Sequence, residues 1–347
     1  MLRQRTNGFI LPSLLNVNQT SQALDAMEKS GRIVCMCHAN PDGDAVGSLL
    51  GLVSILQKKY PEKNILAICK DPAPDSFRYL PGVREITPSY VPTSGDLFLS
   101  LDSGDAKKTG YLEELPELFD PKRAKEKGIV TMKLDHHHTG SDFAEFNFVD
   151  STAASTAEIV VDVADALNFE IPKDAATCLL TGIFTDTGSM MHSNTSTRVY
   201  RTAARLLKAG ADHGAMTHHV FRTSKLSTLK LWGRMLEKIS LSEEGAAISA
   251  VTAGDFRATG ADFSELTGAI DYVNSIPGMK FSLILSERDG KVKGSLRTLR
   301  DDVDVSAMAK KFDGGGHKRA AGFSVDGKLE EETRWKVVPS KESLQQK

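Results

Sequence analysis

No stretch of the 347 residues approaches the roughly 20 consecutive apolar positions that a membrane-spanning helix requires. The first nine residues carry Arg3 and Arg5 but no apolar run behind them of the kind a secretory signal needs. Cysteine is scarce: Cys35, Cys37, Cys69 and Cys178 are the only four, and no two form a C-x-x-C pair for zinc or dithiol redox chemistry. Their apolar neighbours mark them as reduced core residues. An excess of one charge is lacking too, since 43 Lys and Arg against 45 Asp and Glu leave −2. No Lys/Arg run stands apart that would grip a long phosphate backbone, and no internal repeat is present. These absences argue against a membrane protein and a binder of long nucleic acids, and lead us to expect a cytoplasmic protein.

What is present is the composition of a packed globular protein, 40% hydrophobic and 25% charged, at a length that suits two domains. From residue 30 to about 190, short apolar runs alternate with helical patterns, which predicts an α/β domain with a parallel sheet and helices on both faces. The strand candidates are 32–37, 65–70, 97–101 and 128–134. One helix is expected from Asp44 to Tyr60, stopped by Pro61, and another from Ser155, where Glu158 completes a capping-box pattern. Beyond residue 237 the runs 246–252, 280–287 and 291–296 read as strands, the last two joined by Arg288-Asp289-Gly290, with a helix over 305–312. The expected division is a larger α/β domain at 18–225, a linker at 226–242 and a smaller α/β domain at 243–335.

In an open α/β sheet ligands bind beyond the carboxyl ends of the strands. Here those ends are acidic and imidazole-rich. The first strand runs into His38-Ala39-Asn40-Pro41-Asp42-Gly43-Asp44, the third into Asp102, and the fourth into Asp135-His136-His137-His138. Carboxylates gathered at one edge repel unless a cation joins them. Carboxylate and imidazole donors without thiolate favour hard divalent ions, manganese first because of the histidines, with Mg2+ or Co2+ as substitutes. Gly43 is read as a sharp turn that would aim Asp42 and Asp44 at two different ions. Singly, each element has a plainer reading: Asp42 and Asp44 as an Asx turn and helix cap, the histidines as a solvated loop, Asp186 as a cap before Gly188.

Taken in order, the motifs His38-x-x-x-Asp42-x-Asp44, Leu101-Asp102, Asp135-His136-His137 and Thr185-Asp186-Thr187-Gly188 resemble those of the DHH superfamily of phosphoesterases. Farther on, Gly294-Ser295-Leu296-Arg297, Gly314-Gly315-Gly316-His317 and Ala320-Ala321-Gly322-Phe323 resemble the DHH-associated C-terminal domain, and the resemblance spans most of the chain. It implies two Mn2+ ions per active site, with His38 and Asp42 on one, Asp44, His136 and Asp186 on the other, and Asp102 bridging. His137 would face the substrate. In-line attack by water would then cleave the phosphoester, while Arg297, Gly314, Gly315, Gly316, His317 and Arg319 would hold a substrate phosphate. Length and domain pairing are most similar to the nanoRNase and pAp phosphatase group, which implies short oligoribonucleotides or 3′-phosphoadenosine 5′-phosphate (pAp) as substrate, and a possible homodimer. Ser189-Met190 departs from many relatives of this group. Linear or cyclic di-AMP is an alternative substrate, and a nucleotide-binding regulator without turnover is an alternative of another class.

Overall fold

The computed structural model describes residues 17–137 and 140–332; His138, the Arg3 and Arg5 start and the polar final residues lie outside the described residues. The chain divides into two compact units, at Thr223 and Ser224. In the first, helix α1 (Val17–Lys29) precedes β1 (Arg32–Met36), α2 (Gly43–Lys59), β2 (Asn64–Ile68), β3 (Asp96–Leu101), the short α3 (Pro121–Glu126), β4 (Val130–Asp135) and β5 (Phe146–Val149). There follow α4 (Thr156–Ala166), α5 (Lys173–Asp186), α6 (Thr197–Lys208) and α7 (His213–Phe221).

The five strands form one parallel sheet in the order β2-β1-β3-β4-β5. Alternation along the strands divides the core. Ile33, Cys35, Leu97, Leu99, Met132 and Leu134 face α2, α4 and α5, whereas Val34, Met36, Ile68 and Phe98 face the other way. That second face is covered by α3 and by two 3-10 turns, at 106–109 and 116–119, through Leu118, Phe119 and Ala124. Leu49, Leu52, Ile55 and Leu56 of α2 are buried on the first face, and each such side chain contributes about 1.5–3 kcal/mol. All four cysteines are buried and unbridged. Strand β5 was not expected; at four residues, with Glu145 and Asp150 beside it, it is too short to show a period. The order places a switch between β1 and β3, whose outgoing connections leave toward opposite sides, and such a crevice is where open sheets bind ligands.

The second unit contains α8 (Leu226–Glu237), β6 (Ser240–Leu241), β7 (Ala246–Val251), α9 (Ala253–Thr259), α10 (Ala269–Asn274), β8 (Phe281–Arg288), β9 (Lys291–Arg297), α11 (Val305–Lys310), β10 (Gly315–His317) and β11 (Ala320–Asp326). Its mixed sheet runs β10-β11-β9-β8-β7-β6, with only β7 and β8 parallel. Residues 226–242, read above as a linker, hold α8, whose Leu231 and Met235 are buried in this unit's core. Asp289 and Gly290 take positive φ in the β8–β9 hairpin turn, as the sequence predicts. Strand β11 was read only as a motif, because Gly322 and alternating small residues weaken its strand signature. Among the described residues no helix is long and apolar enough to cross a membrane.

Candidate metal centre

Three strand ends and two helices of the first unit meet in one acidic cluster. After β1, the His38 Nδ1 donates to the Ala39 carbonyl at 2.8 Å, which turns Nε2 toward the cluster. The loop is pinned by Ala39 N donating to Lys108 O at 2.8 Å and by Asn40 N donating to Asp71 Oδ2 at 2.8 Å. Asp42 caps α2, its Oδ1 accepting from Asp44 N and Ala45 N at 3.0 Å each. Gly43 does not make the sharp turn expected of it: it is the first residue of α2. Its smallness serves packing instead, since a Cβ there would lie 2.4 Å from Thr185 Oγ1.

Gly43 opens a stripe with Gly47 and Gly51 along one side of α2. A Cβ at Gly47 would stand 2.5 Å from the Cys178 carbonyl oxygen, and one at Gly51 would stand 2.6 Å from the Leu179 side chain. The two helices therefore touch backbone to backbone in antiparallel fashion. This contact carries Asp186, the last residue of α5, to the start of α2. A carboxylate at a helix C-terminus faces the negative end of the dipole, an unfavourable place unless something positive compensates.

Asp44 is buried and lies against the start of α4, its Oδ2 accepting from Thr156 N at 2.6 Å and its Oδ1 from Ala157 N at 2.9 Å. Ser155 caps that helix through Glu158 N, while the Glu158 carboxylate reaches Ala154 N, one residue earlier than a capping box would have it. Asp102, 2% exposed, has φ +54°. The left-handed backbone is tolerated by Asp better than by most residues and bends the chain sharply out of β3.

The two Asp102 oxygens face different partners. Oδ2 lies 3.6 Å from His38 Nε2; Oδ1 lies 3.6 Å from His136 Nε2 and accepts from Thr156 Oγ1 at 3.1 Å. His136 Nε2 also lies 3.5 Å from Asp186 Oδ2, and His38 Nε2 lies 3.9 Å from Asp42 Oδ1. Donor atoms of His38, Asp42 and Asp102 fall within 4.8 Å of one another, as do those of Asp44, His136 and Asp186 and those of Asp102, His136 and His137. His137 Nδ1 bonds Asp135 Oδ1 at 2.7 Å and lies 3.6 Å from Asp102 Oδ1. The structure thus brings together all seven residues singled out in this unit.

The electrostatics express the crowding. Burial raises the Asp44 pKa well above the ordinary carboxylate value, and the charges of Asp102, Asp186 and Asp42 push it the same way. Asp186 is raised likewise, by burial first and then by Asp102 and Asp42. Burial also pushes Asp102 upward, but its contact with His38 and the charges of His136, His38 and His137 prevail and lower it to about 2. Burial would lower the His38 pKa; Asp102 and Asp42 outweigh it and raise it to about 9. Four carboxylates that cannot all ionise comfortably beside imidazole nitrogens form a donor set that fits divalent cations.

Three contributors escaped the sequence reading: Thr156, which bonds Asp102; Asp135, named there only as part of a motif; and Lys133, fully buried beside Asp135. The one signal for Lys133 was a charged residue inside an apolar strand.

In the second unit, Arg297 of β9 pairs with Ala320 of β11, which pairs with His317 of β10. That register puts Arg297 and His317 on one face of the sheet, with a strand between them. Arg297 Nη1 donates to Leu296 O at 3.0 Å, and burial lowers its pKa. Arg319 pairs with Asp301. The three glycines differ: a Cβ at Gly314 would lie 2.3 Å from Gly322 O and one at Gly316 2.5 Å from Ala320 O, whereas Gly315 faces open space.

Comparison with known proteins is consistent across the chain. Residues 32–183 match the DHH family, N-terminal domain, and residues 245–337 match the DHHA1 domain. The chain is 34% identical over 310 residues to the bifunctional oligoribonuclease and PAP phosphatase NrnA of Thermus thermophilus, covering 88% of this chain and 87% of that protein. It is 29% identical to the protein of the same name from Bacillus subtilis, covering 84% and 89%. A crystal structure of an exopolyphosphatase-related protein from Bacteroides fragilis shares the fold, with a TM-score of 0.82 at 24% identity over 92% of this chain and 94% of that one.

Proposed function

The chain belongs to the DHH family, and we propose that this phosphoesterase hydrolyses short oligoribonucleotides and pAp with the aid of two manganese ions. The observation that carries the reading is the division of the Asp102 carboxylate, one oxygen toward His38 and the other toward His136. A carboxylate so placed suits a bridging role between two half-sites. His38 and Asp42 would hold one ion and Asp44, His136 and Asp186 the other, with Asp102 shared. Divalent cations held there would supply Lewis acidity toward a phosphoester and would make an attacking water more acidic.

The protein's own groups do the rest. Asp135 orients the His137 ring by holding Nδ1, so that Nε2 can meet a phosphoryl or leaving oxygen. Thr156 fixes the Asp102 oxygen on the His136 side. In the C-terminal unit, Arg297 and His317, sharing a face, together with Arg319 and the Gly314 to Gly316 backbone would hold a terminal phosphate. Recognition of a chain end rather than a long backbone agrees with the near-neutral charge.

The test is a panel of pApA, pAp, linear di-AMP, cyclic di-AMP and short polyphosphate at equal concentration with Mn2+, read by chromatography, with Mg2+ and Co2+ in parallel. Turnover of pApA and pAp ahead of the others is expected. Binding of these nucleotides without turnover under every cation would replace the reading with a nucleotide-binding regulator. Preference for cyclic di-AMP would move it to a cyclic dinucleotide phosphodiesterase.

A further inference from the structure

Lys133 lies in β4 between the buried Met132 and Leu134 and is itself only 2% exposed. Removing an ammonium from water costs several kcal/mol unless it finds good partners, and an apolar side chain would fill this strand position without that cost. Its Nζ approaches oxygens on both neighbouring loops. It donates to Gly104 O at 3.5 Å and to Ser141 O at 3.1 Å, and lies 3.3 Å from Asp135 Oδ2 as a charge contact without an aligned hydrogen bond. The Phe143 ring covers it at 5.2 Å. Gly104 follows Asp102 by two residues; Ser141 lies between His137 and β5 in the chain. The two loops are already close, with Ser141 N donating to Gly104 O at 3.0 Å and no room for a Cβ at Gly140, which would stand 2.0 Å from that same oxygen.

We propose that Lys133 is a positioning residue of this site: its buried ammonium ties the loop carrying Asp102 to the loop carrying His136 and His137, and faces the carboxylate that aims His137. The inference rests on the reading of this cluster as the reaction centre. Lys133 itself touches neither substrate nor cation and acts through the carbonyls of Gly104 and Ser141 and through Asp135. Groups that orient ligands in this way change metal affinity or activity by roughly 10- to 100-fold when removed.

The experiment compares full-length parent with Lys133→Met. It measures Mn2+ affinity by the spin-resonance signal of the unbound ion, kcat and KM on pApA, and hydrogen exchange of residues 103–105 and 140–142 in metal-free protein. Expected are a loss of about tenfold or more in Mn2+ affinity and in kcat, a KM within about threefold, and faster exchange in both loops. A folded variant with parental Mn2+ affinity, kcat and exchange overturns the proposal. Should Lys133→Met fail to fold because Asp135 is left without its counter-charge, Lys133→Met combined with Asp135→Asn removes that charge. Parental Mn2+ affinity in this double variant overturns the proposal, as does failure of the double variant to fold, which would assign Lys133 to stability alone. If the parent binds Mn2+ but hydrolyses no member of the panel, the proposed function fails while affinity and exchange still decide the role of Lys133.

Discussion

A Cβ on Gly47 would lie 2.5 Å from the carbonyl oxygen of Cys178, so helices α2 and α5 can pack as they do only with hydrogen at that position. The contact determines where Asp186 stands relative to Asp44. Gly47→Ala is therefore expected to destabilise the first unit by about 1–3 kcal/mol, the usual cost of overpacking, and to weaken Mn2+ binding. Gly233→Ala, at an exposed α8 position with open space around it, should instead stabilise by about 0.5–1 kcal/mol. Urea denaturation of the two variants checks both signs; equal effects would remove the packing argument.

Asp102→Ala should lower kcat on pApA by about 10²- to 10³-fold or more, as loss of a preorganised charged group does, while circular dichroism stays parental. Hydrolysis by purified Asp102→Ala at the parental rate in manganese would refute the bridging role.

Arg297→Ala should raise KM for substrates ending in phosphate by about 10- to 100-fold, the worth of one hydrogen bond to a charged group, with little change in kcat. Steady-state kinetics on pApA measures it, and an unchanged KM would exclude this arginine from the phosphate site.

Arg198 pairs with Asp150 at 2.7 Å and with Asp162, and lies 3.7 Å from the fully buried Glu158. Arg198→Met leaves these acids without a cation and should cost about 3–5 kcal/mol of stability. Thermal unfolding of the metal-free protein reports it; a midpoint within one or two degrees of the parent would contradict the expectation.

Asp255, the third residue of α9, completes a capping box with the N-cap Thr252 and accepts from Lys238 Nζ at 2.5 Å and Thr252 N at 2.9 Å. Burial pushes its pKa up, but the Lys238 bond and those from Thr252 prevail and lower it to about 2. A depressed carboxyl adds stability above its unfolded value near 3.8 and loses it as pH falls through that value toward 2. Asp255→Asn should therefore lower stability at pH 7 and flatten its acid dependence over this window. Chemical denaturation across pH 2 to 5 tests the sign; a parental slope would show that Asp255 is not the group responsible.

The strand ends were legible because each of β1, β3 and β4 is an apolar run broken abruptly by Asp or His, a pattern that needs no partner to be seen. The helix from Ser155 and the Asp289-Gly290 hairpin were legible for the same reason, since caps and turns are local chemistry. Strand β5 and strand β11 were not, as one is too short and the other too rich in small residues to declare a period. Gly43 was misread as a turn because its role depends on Thr185, more than a hundred residues away. Lys133 could be noticed in the sequence only as an oddity, since nothing local tells a buried ammonium from a solvated one.

By itself the sequence determined the donors: which carboxylates and imidazoles exist, that no thiolate joins them, and that all but Asp186 follow strands whose ends must share an edge. Which Asp102 oxygen faces His38 and which faces His136, and whether Asp186 reaches either, was decided by tertiary structure alone. Those distances depend on β1 lying beside β3, on the left-handed backbone at Asp102, and on two helices packed close enough for a glycine stripe to matter. Local chemistry specifies groups, whereas convergence of groups distant in sequence is a property of the packed core.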